Sequence, residues 1–217
     1  MKIEKYDGYL GEEMEPGTSV LEVNRRQFLQ ITGAGIFIFF TIGDLEAIVQ
    51  RRRRDYPADF NAYLRIGEDG RITCFTGKIE MGQGIISSLA QMLAEELDVS
   101  LDSVEMVMGD TKLCPYDGGT TGSRSTKYFG PPLRKAAAEA RAVLLELASE
   151  QLSLSIDNLV VKDGIVQDKQ GQKKISYAKL TQGRKIERHL PDISIKRKSE
   201  YTVSGKTTLK TDSLKKV

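Results

Sequence analysis

The sequence predicts an α+β fold in which helices pack on a mixed sheet, and three observations favour this fold class. Two Asp-Gly turns, at 67–70 and within 158–166, lie between alternating apolar and polar residues, which is the pattern of a β-hairpin. Residues 85–97 place their apolar side chains on one face of a helix. A long helix is predicted from 133 to about 152. Of the 217 residues, 40% are apolar and 29% are charged, so the chain can bury a sizeable core.

The front of the chain has the layout of an export signal. Arg25 and Arg26 precede Phe28 and Leu29, and an uncharged, mostly apolar run follows at 31–43. This layout resembles the twin-arginine signal with which bacteria export proteins already folded around a cofactor; a core helix that happens to follow two arginines is the alternative. No Ala-x-Ala cleavage site follows, so an uncleaved anchor is also expected. The front therefore divides into an acidic, disordered leader at 1–23, a twin-arginine export signal or anchor helix at 24–50, and a basic linker at 51–59.

The predicted folded domain, 60–190, begins with a hairpin. Its strands are expected at 61–66 and 71–76. Cys74 lies in the second of these strands, where a buried structural thiol is expected rather than a reactive one.

A glycine loop at 77–84 follows the hairpin and leads into the helix at 85–97. The first N–H groups of a helix have no partner within it, so this helix start is expected to favour an anionic ligand. Gly82 and Gly84 would let a bulky ligand approach the backbone, and Gln83 between them can both donate and accept hydrogen bonds. A plain tight turn is the alternative for this short pattern.

A second loop of small residues follows a strand predicted at 104–110. Residues 116–126 combine glycines, hydroxyls and Arg124, which suits either a phosphate or pterin pocket or a Ser/Thr-rich surface turn. Neither loop matches a Walker A or dinucleotide fingerprint. Pro131 and Pro132 then introduce the long helix.

The last third of the chain is basic. After the hairpin at 158–166, a short regular element is expected at 175–180, and a basic extended tail at 191–217 leads to a further domain or chain. Residues 155–217 carry a net charge of +8, against −2 for 1–59 and −4 for 60–154. This basic region is either a solvated surface or a face that docks on an acidic partner or polyanion.

The composition excludes several functional classes. Two cysteines and one histidine cannot supply a four-cysteine zinc site, an iron–sulfur cluster or most metal triads. The net charge of +2 argues against a nucleic-acid binder. The chemistry of the chain is therefore expected to come from a cofactor or from partner subunits.

Residues 79–84, 108–111 and 119–126, in this order, resemble the molybdopterin-binding large subunit of the xanthine dehydrogenase and aldehyde oxidase family. The most similar branch is the isoquinoline 1-oxidoreductase β-subunit type, and the resemblance covers about 60–217. It implies a molybdenum hydroxylase that oxidises an aldehyde or N-heterocycle with oxygen from water. The implied cofactor is molybdopterin with molybdenum, in bacteria often the cytosine dinucleotide form. The implied partners are a small subunit with 2Fe-2S clusters and, in exported members, a cytochrome c.

The resemblance also implies roles for individual residues. Gln83 would hydrogen-bond the cofactor close to the metal, with Gly82 and Gly84 leaving room. The second loop would line the metal and its pterin through Thr120, Thr121, Gly122, Ser123, Arg124 and Ser125. No residue of the chain, including either cysteine, is expected to bind the metal directly.

The chain departs from the family pattern at its far end. Family members are several times longer, and their catalytic glutamate lies in a Gly-x-Gly-Glu-like motif that does not occur here. The expectation is an incomplete part of a molybdopterin-binding domain that needs a partner chain, carries no catalytic residue and is not active alone. Glu80 is expected to be a structural or solvated carboxylate. The expected location is the periplasm, either free or held at the inner membrane by residues 24–50. A noncatalytic export or assembly scaffold without cofactor is the alternative, and a degenerate gene fragment is a weaker one.

Overall fold

The computed structural model describes residues 35–40, 62–115, 117, 119–189 and 193–208. The predicted leader, the arginine pair and the basic linker lie outside these residues. The strands are β1 (Gly35–Phe40), β2 (Ala62–Gly67), β3 (Ile72–Thr76), β4 (Val104–Met108), β5 (Leu159–Lys162), β6 (Ile165–Asp168), β7 (Lys174–Ser176) and β8 (Lys185–His189). The α-helices are α1 (Ile85–Leu97), α2 (Gly130–Leu152) and α3 (Tyr177–Thr181), and a π-helical turn at Ser125–Phe129 precedes α2.

The larger sheet is mixed, which confirms the predicted fold class. Its strand order is β4-β3-β2-β1-β8. Strand β3 runs parallel to β4, and β1 runs parallel to β8, whereas the two central pairings are antiparallel. Strands β5, β6 and β7 form a separate antiparallel sheet.

Helices α1 and α2 pack against each other on one face of the larger sheet and enclose the main core. Apolar side chains recur on one side of each helix because α-helical residues three and four apart share a face. The core includes Leu89 and Leu93 of α1, Leu133 and Leu144 of α2, and Leu64 of β2. The other face of the sheet carries an aromatic cluster of Phe37, Phe39, Tyr63 and Phe75.

Strand β1 corrects the helix prediction for residues 35–40. Ile36, Ile38 and Phe40 join the main core, whereas Phe37 and Phe39 join the aromatic cluster. Both faces of the strand are buried, so its sequence is apolar at successive positions and lacks the alternation of a half-exposed strand. Such a run has the same composition as the apolar core of an export signal, which explains the prediction.

Local signals predicted most of the other elements. Helix α1 has the predicted bounds, and α2 begins three residues earlier than expected, with both prolines in its first turn. Asp163 and Gly164 both have positive φ, at 49° and 71°, as a two-residue hairpin turn requires. Strand β8 falls in a stretch where no strand was predicted. Among the described residues, no helix is long and apolar enough to cross a membrane.

Part of the predicted basic tail is attached to the domain. The Lys196 ammonium donates to the carboxylate of Asp98 and to the carbonyl of Glu95, both on or next to α1. Arg134 of α2 pairs with Glu96 at 2.5 Å and donates to the Lys196 carbonyl at 2.6 Å. The tail is therefore joined to the helical layer at Lys196.

Candidate functional site

The two glycine loops leave the same edge of the sheet. The first glycine loop (77–84) follows β3, and the second glycine loop (109–124) follows β4. Because β3 and β4 are parallel neighbours, with Thr76 opposite Met108, their carboxyl ends lie side by side. The backbone N–H of Gly109 continues this pairing by donating to the Thr76 carbonyl at 3.0 Å. In open α/β sheets, ligands commonly bind beyond the carboxyl ends of parallel strands, and β3 and β4 share that local arrangement.

Direct contacts join the two loops. The Lys78 ammonium donates to Asp117 Oδ1 at 2.7 Å and to the Gly119 carbonyl at 2.8 Å. The next residue, Ile79, donates its backbone N–H to Thr120 Oγ1 at 2.8 Å. The structure therefore brings Thr120 to the first loop, as a shared pocket would require.

Glu80 occupies the start of helix α1. Its Oε1 accepts the N–H groups of Gly82 and Gly84 at 2.7 and 2.9 Å, and its Oε2 accepts that of Ile86 at 3.1 Å. A carboxylate is the group that the positive end of a helix dipole favours. The structure thus corrects the expectation that these N–H groups point free into the loop, and it confirms that Glu80 has a structural role.

The side chain of Gln83 hydrogen-bonds to the backbone of its own loop. Its Oε1 accepts the Met81 N–H at 2.5 Å, and its Nε2 donates to the Ile79 carbonyl at 2.9 Å. The residue is nevertheless exposed, so its amide is reachable from solvent. These two local hydrogen bonds hold residues 79–83 in a closed turn.

The predicted residues of the second loop differ in accessibility. Thr121, Gly122, Ser123 and Arg124 are exposed, whereas Ser125 is buried at the start of the π-helical turn. Gly122 and Ser123 have φ of 63° and 55°, a left-handed pair that turns the chain toward the helix. Ser125 is therefore the predicted contact that a ligand could reach least easily.

Gly82 and Gly119 present open backbone on the two loops. A Cβ added at either position would meet no heavy atom within 4 Å, and φ is 94° at Gly82 and 109° at Gly119. Glycines with open space where a Cβ would stand let a flat ligand lie against the backbone. Met81 and Ile79, both exposed, add apolar surface next to Gly82.

The two cysteines of the chain have raised thiol pKa values. Cys74 is fully buried in β3, as predicted, and burial raises its pKa. Burial also raises the pKa of Cys114, against backbone hydrogen bonds that lower it, and its Sγ contacts the Val107 carbonyl at 3.3 Å. Within the described part of the chain, no three His, Cys, Asp or Glu side chains cluster closely enough to hold a metal ion.

Sequence reasoning missed Lys78 and Asp117. They are 39 positions apart, and nothing in their spacing indicates that they meet. Lys78 is the one signal that could have been noticed, because a lysine stands two positions after the predicted strand at 71–76; in the structure it is buried. A buried ammonium requires an anionic or carbonyl partner.

Comparison with known proteins agrees with the resemblance. The molybdopterin cofactor-binding domain family matches residues 18–215. A nicotinate dehydrogenase subunit of Pseudomonas putida is 37% identical over 69% of this chain and 13% of its own length. The beta subunit of isoquinoline 1-oxidoreductase from Brevundimonas diminuta is 28% identical over 60% of this chain and 18% of its own length.

Among solved structures, quinoline 2-oxidoreductase from Pseudomonas putida 86 is 29% identical, with a TM-score of 0.49, over 55% of this chain and 15% of that one. The chain thus spans less than a fifth of each of these three relatives. The family match covers nearly the whole sequence and includes both glycine loops. The chain therefore belongs to the molybdopterin cofactor-binding domain family.

Proposed function

We propose that this chain supplies part of the molybdopterin pocket of an exported molybdenum hydroxylase, which oxidises an aldehyde or N-heterocycle with oxygen from water. The observation that carries the proposal is the meeting of two glycine loops at the carboxyl edge of β3 and β4. Family membership and relatives named as nicotinate dehydrogenase and isoquinoline oxidoreductase subunits support it.

The residues of the two loops fit such a cofactor. A pterin has hydrogen-bond donors and acceptors around its rings, and the open backbone at Gly82 and Gly119 can lie against it. The exposed side chains of Thr121, Ser123 and Arg124 add hydroxyls and one guanidinium. Arg124 suits a phosphate because its planar fork matches phosphate oxygens, and molybdopterin carries a phosphate with or without the cytosine nucleotide. The cytosine dinucleotide form is proposed from the family resemblance alone. When bound, the cofactor supplies the molybdenum redox centre.

Gln83 is the residue of the first loop assigned to the cofactor. Its amide now satisfies Met81 and Ile79 of the same loop. Turning this exposed side chain toward a ligand exchanges two local hydrogen bonds for new ones, at a cost that a cofactor amide or oxo group can offset. Gly84 leaves room beside it, while Glu80 keeps the start of α1 in place.

The proposed complex includes three kinds of partner. They are a further large-subunit chain that carries the catalytic glutamate, a small subunit with 2Fe-2S clusters, and a cytochrome c. One relative is named as a subunit of a dehydrogenase complex, which supports an assembly of several chains. In this proposal the chain is not active alone.

The export part of the proposal rests on Arg25 and Arg26, which lie outside the described residues. We infer a periplasmic location, with residues 24–50 either as a signal or as an attachment to the inner membrane. Replacing both arginines by lysine tests this: the protein is expected to remain in the cytoplasm, and export of the double variant at the normal level would contradict a twin-arginine signal.

A noncatalytic assembly scaffold is the second candidate, and one observation favours it. Glu80 and Gln83 hydrogen-bond to backbone groups of their own loop, so the first glycine loop is supported from within. A noncatalytic scaffold would require only a first loop that is supported by its own hydrogen bonds.

Metal and pterin analysis of the purified complex distinguishes the two candidates. The hydroxylase proposal expects molybdenum and pterin in the wild-type complex and a several-fold loss of both in Gln83→Ala. The matched control is Gln151→Ala, at an exposed position of α2, which is expected to retain the wild-type content. Absence of molybdenum and pterin from a complex that contains all partner chains would contradict the hydroxylase proposal. Unchanged content in Gln83→Ala would favour the scaffold.

A further inference from the structure

The ion pair between Lys78 and Asp117 is almost completely buried. The side chain of Lys78 is 8% exposed and that of Asp117 is 2% exposed. Asp117 Oδ1 also accepts the Gly119 N–H at 2.8 Å, while the Lys78 ammonium donates to the Gly119 carbonyl. The two charged groups and the peptide groups of Gly119 thus form one connected network between the loops.

The loops touch at the backbone beside this network. A Cβ at Gly77 would lie 2.5 Å from Asp117 Cβ and 2.9 Å from the Pro115 carbonyl oxygen. Any larger residue at 77 would therefore push the loops apart. The separation of the loops is set by this contact, by the ion pair and by the hydrogen bond from Ile79 to Thr120.

A buried ion pair rarely increases stability over an apolar pair of the same volume, but it fixes geometry because each charge needs the other at hydrogen-bond distance. Lys78 lies in the first glycine loop shortly before Gly82, and Asp117 lies in the second glycine loop shortly before Gly119 and Thr120. Both open peptide surfaces are therefore positioned by the same pair of charges.

We propose that Lys78 and Asp117 are positioning residues, whose ion pair holds the Gly82 and Gly119 surfaces at the spacing that the cofactor requires. This inference rests on the proposed function. Neither side chain is assigned a contact with the cofactor; each acts through the loop that it holds.

Lys78→Met in the complex with its partner chains tests the inference. It removes the ammonium and keeps most of the aliphatic stem. Hydrogen exchange measured by mass spectrometry is expected to be at least tenfold faster in the peptide 119–124, which contains no substituted residue in any of the variants. Molybdenum and pterin per folded complex are expected to fall at least fivefold. Lys169→Met, at an exposed position after β6, is the control and is expected to change neither quantity.

Two further variants separate positioning from simple stabilisation. Asp117→Asn keeps the volume and an acceptor oxygen but loses the charge, so smaller changes in hydrogen exchange and in cofactor content are expected than for Lys78→Met. If the Lys78→Met complex does not assemble, the same two measurements on Asp117→Asn test the inference. In Lys78→Met/Asp117→Leu no charge is left unpaired, so the thermal midpoint is expected to recover, whereas cofactor content stays low. Recovery of cofactor content together with the midpoint would show a purely structural pair.

Three further outcomes would overturn either this inference or the proposed function on which it rests. Unchanged exchange of 119–124 in Lys78→Met would overturn the inference, and so would full cofactor content in a complex whose second glycine loop exchanges faster. A wild-type complex without molybdenum or pterin would overturn the proposed function instead, while the exchange data would still show whether the ion pair fixes the loop.

Discussion

Glu95 of α1 binds the backbone N–H of Thr202 with both carboxylate oxygens, at 2.9 and 3.0 Å, across 107 positions of sequence. The same carboxylate accepts the N–H groups of Val203 and Ser204, each at 2.7 Å. Three successive peptide donors around one buried anion are a strong, directional contact. This contact is the main reason why residues 201–204 stay on the helical layer.

Glu95→Gln is expected to lower the free energy of unfolding by about 2–3 kcal/mol, because charge-assisted hydrogen bonds are lost and an amide N–H₂ faces backbone donors. Urea denaturation followed by circular dichroism measures the change. Glu105→Gln, at an exposed position of β4, is the control and is expected to shift stability by less than about 0.5 kcal/mol. Equal stability of the two variants would contradict the role assigned to Glu95.

The Glu95 contact also predicts how stability depends on pH. Burial acts to raise the pKa of Glu95, but hydrogen bonds from Ser204, Thr202 and Val203 and the charge of Lys196 outweigh it, so the pKa lies below the ordinary value of 4.5. A carboxylate with a lowered folded pKa stabilises fully above about pH 5, and this contribution is lost as the pH falls through the folded pKa. The stability difference between wild type and Glu95→Gln is therefore expected to be constant from pH 5 to 7 and to shrink below pH 4.5. A difference that grows on acidification would contradict the assignment.

Glu80→Gln is expected to loosen the first glycine loop. One amide cannot accept from Gly82, Gly84 and Ile86 as the two carboxylate oxygens do, and the favourable charge at the helix start is lost. The free energy needed to open this loop locally is therefore expected to fall by about 1–2 kcal/mol. Amide exchange at Gly82, Gly84 and Ile86 is expected to accelerate, whereas exchange in β5 and β6 stays unchanged. Wild-type protection at these three amides would show that Glu80 does not hold the helix start.

Ile38→Asp tests whether residues 35–40 belong to the fold. Ile38 is 0% exposed in the main core, so an unpaired carboxylate there is expected to cost at least about 4 kcal/mol or to prevent folding. Ile156→Asp, where the side chain is 43% exposed, is the control, with an expected cost below about 1 kcal/mol. If the segment served solely as a signal, thermal melting of the Ile38→Asp protein would match that of the control.

The sequence predicted elements that have local signals. The one-sided apolar pattern set the bounds of α1, and the Asp163–Gly164 turn identified the β5–β6 hairpin, because both signals lie within a few residues. Strand β1 was not recognised, since burial on both faces removes alternation. Strand β8 was missed because all of its residues except Ile186 are polar or charged and the strand lies at the edge of the sheet.

The meeting of the two glycine loops was predictable in part for a similar reason. Glycines and hydroxyls in two short stretches pointed to Gly82, Gln83 and Thr120, whose contacts with a cofactor stay a prediction. The bridge from Lys78 to Asp117 was not predictable, because it depends on the parallel pairing of β3 with β4, which brings together residues far apart in the chain. The closure of the helix start by Glu80 was missed because a carboxylate two to six residues before its donors is not a standard capping pattern.

The position of β1 inside the sheet bears on the order in which folding and export take place. Its six residues lie between β2 and β8, so the sheet is complete only when this segment has been inserted. If the arginine pair directs export, folding and the export machinery compete for the same apolar segment, and a finished sheet hides it. Recognition must then precede insertion of β1, or another strand must take its place between β2 and β8. In the first case the rate at which this segment enters the sheet would decide how many molecules leave the cytoplasm.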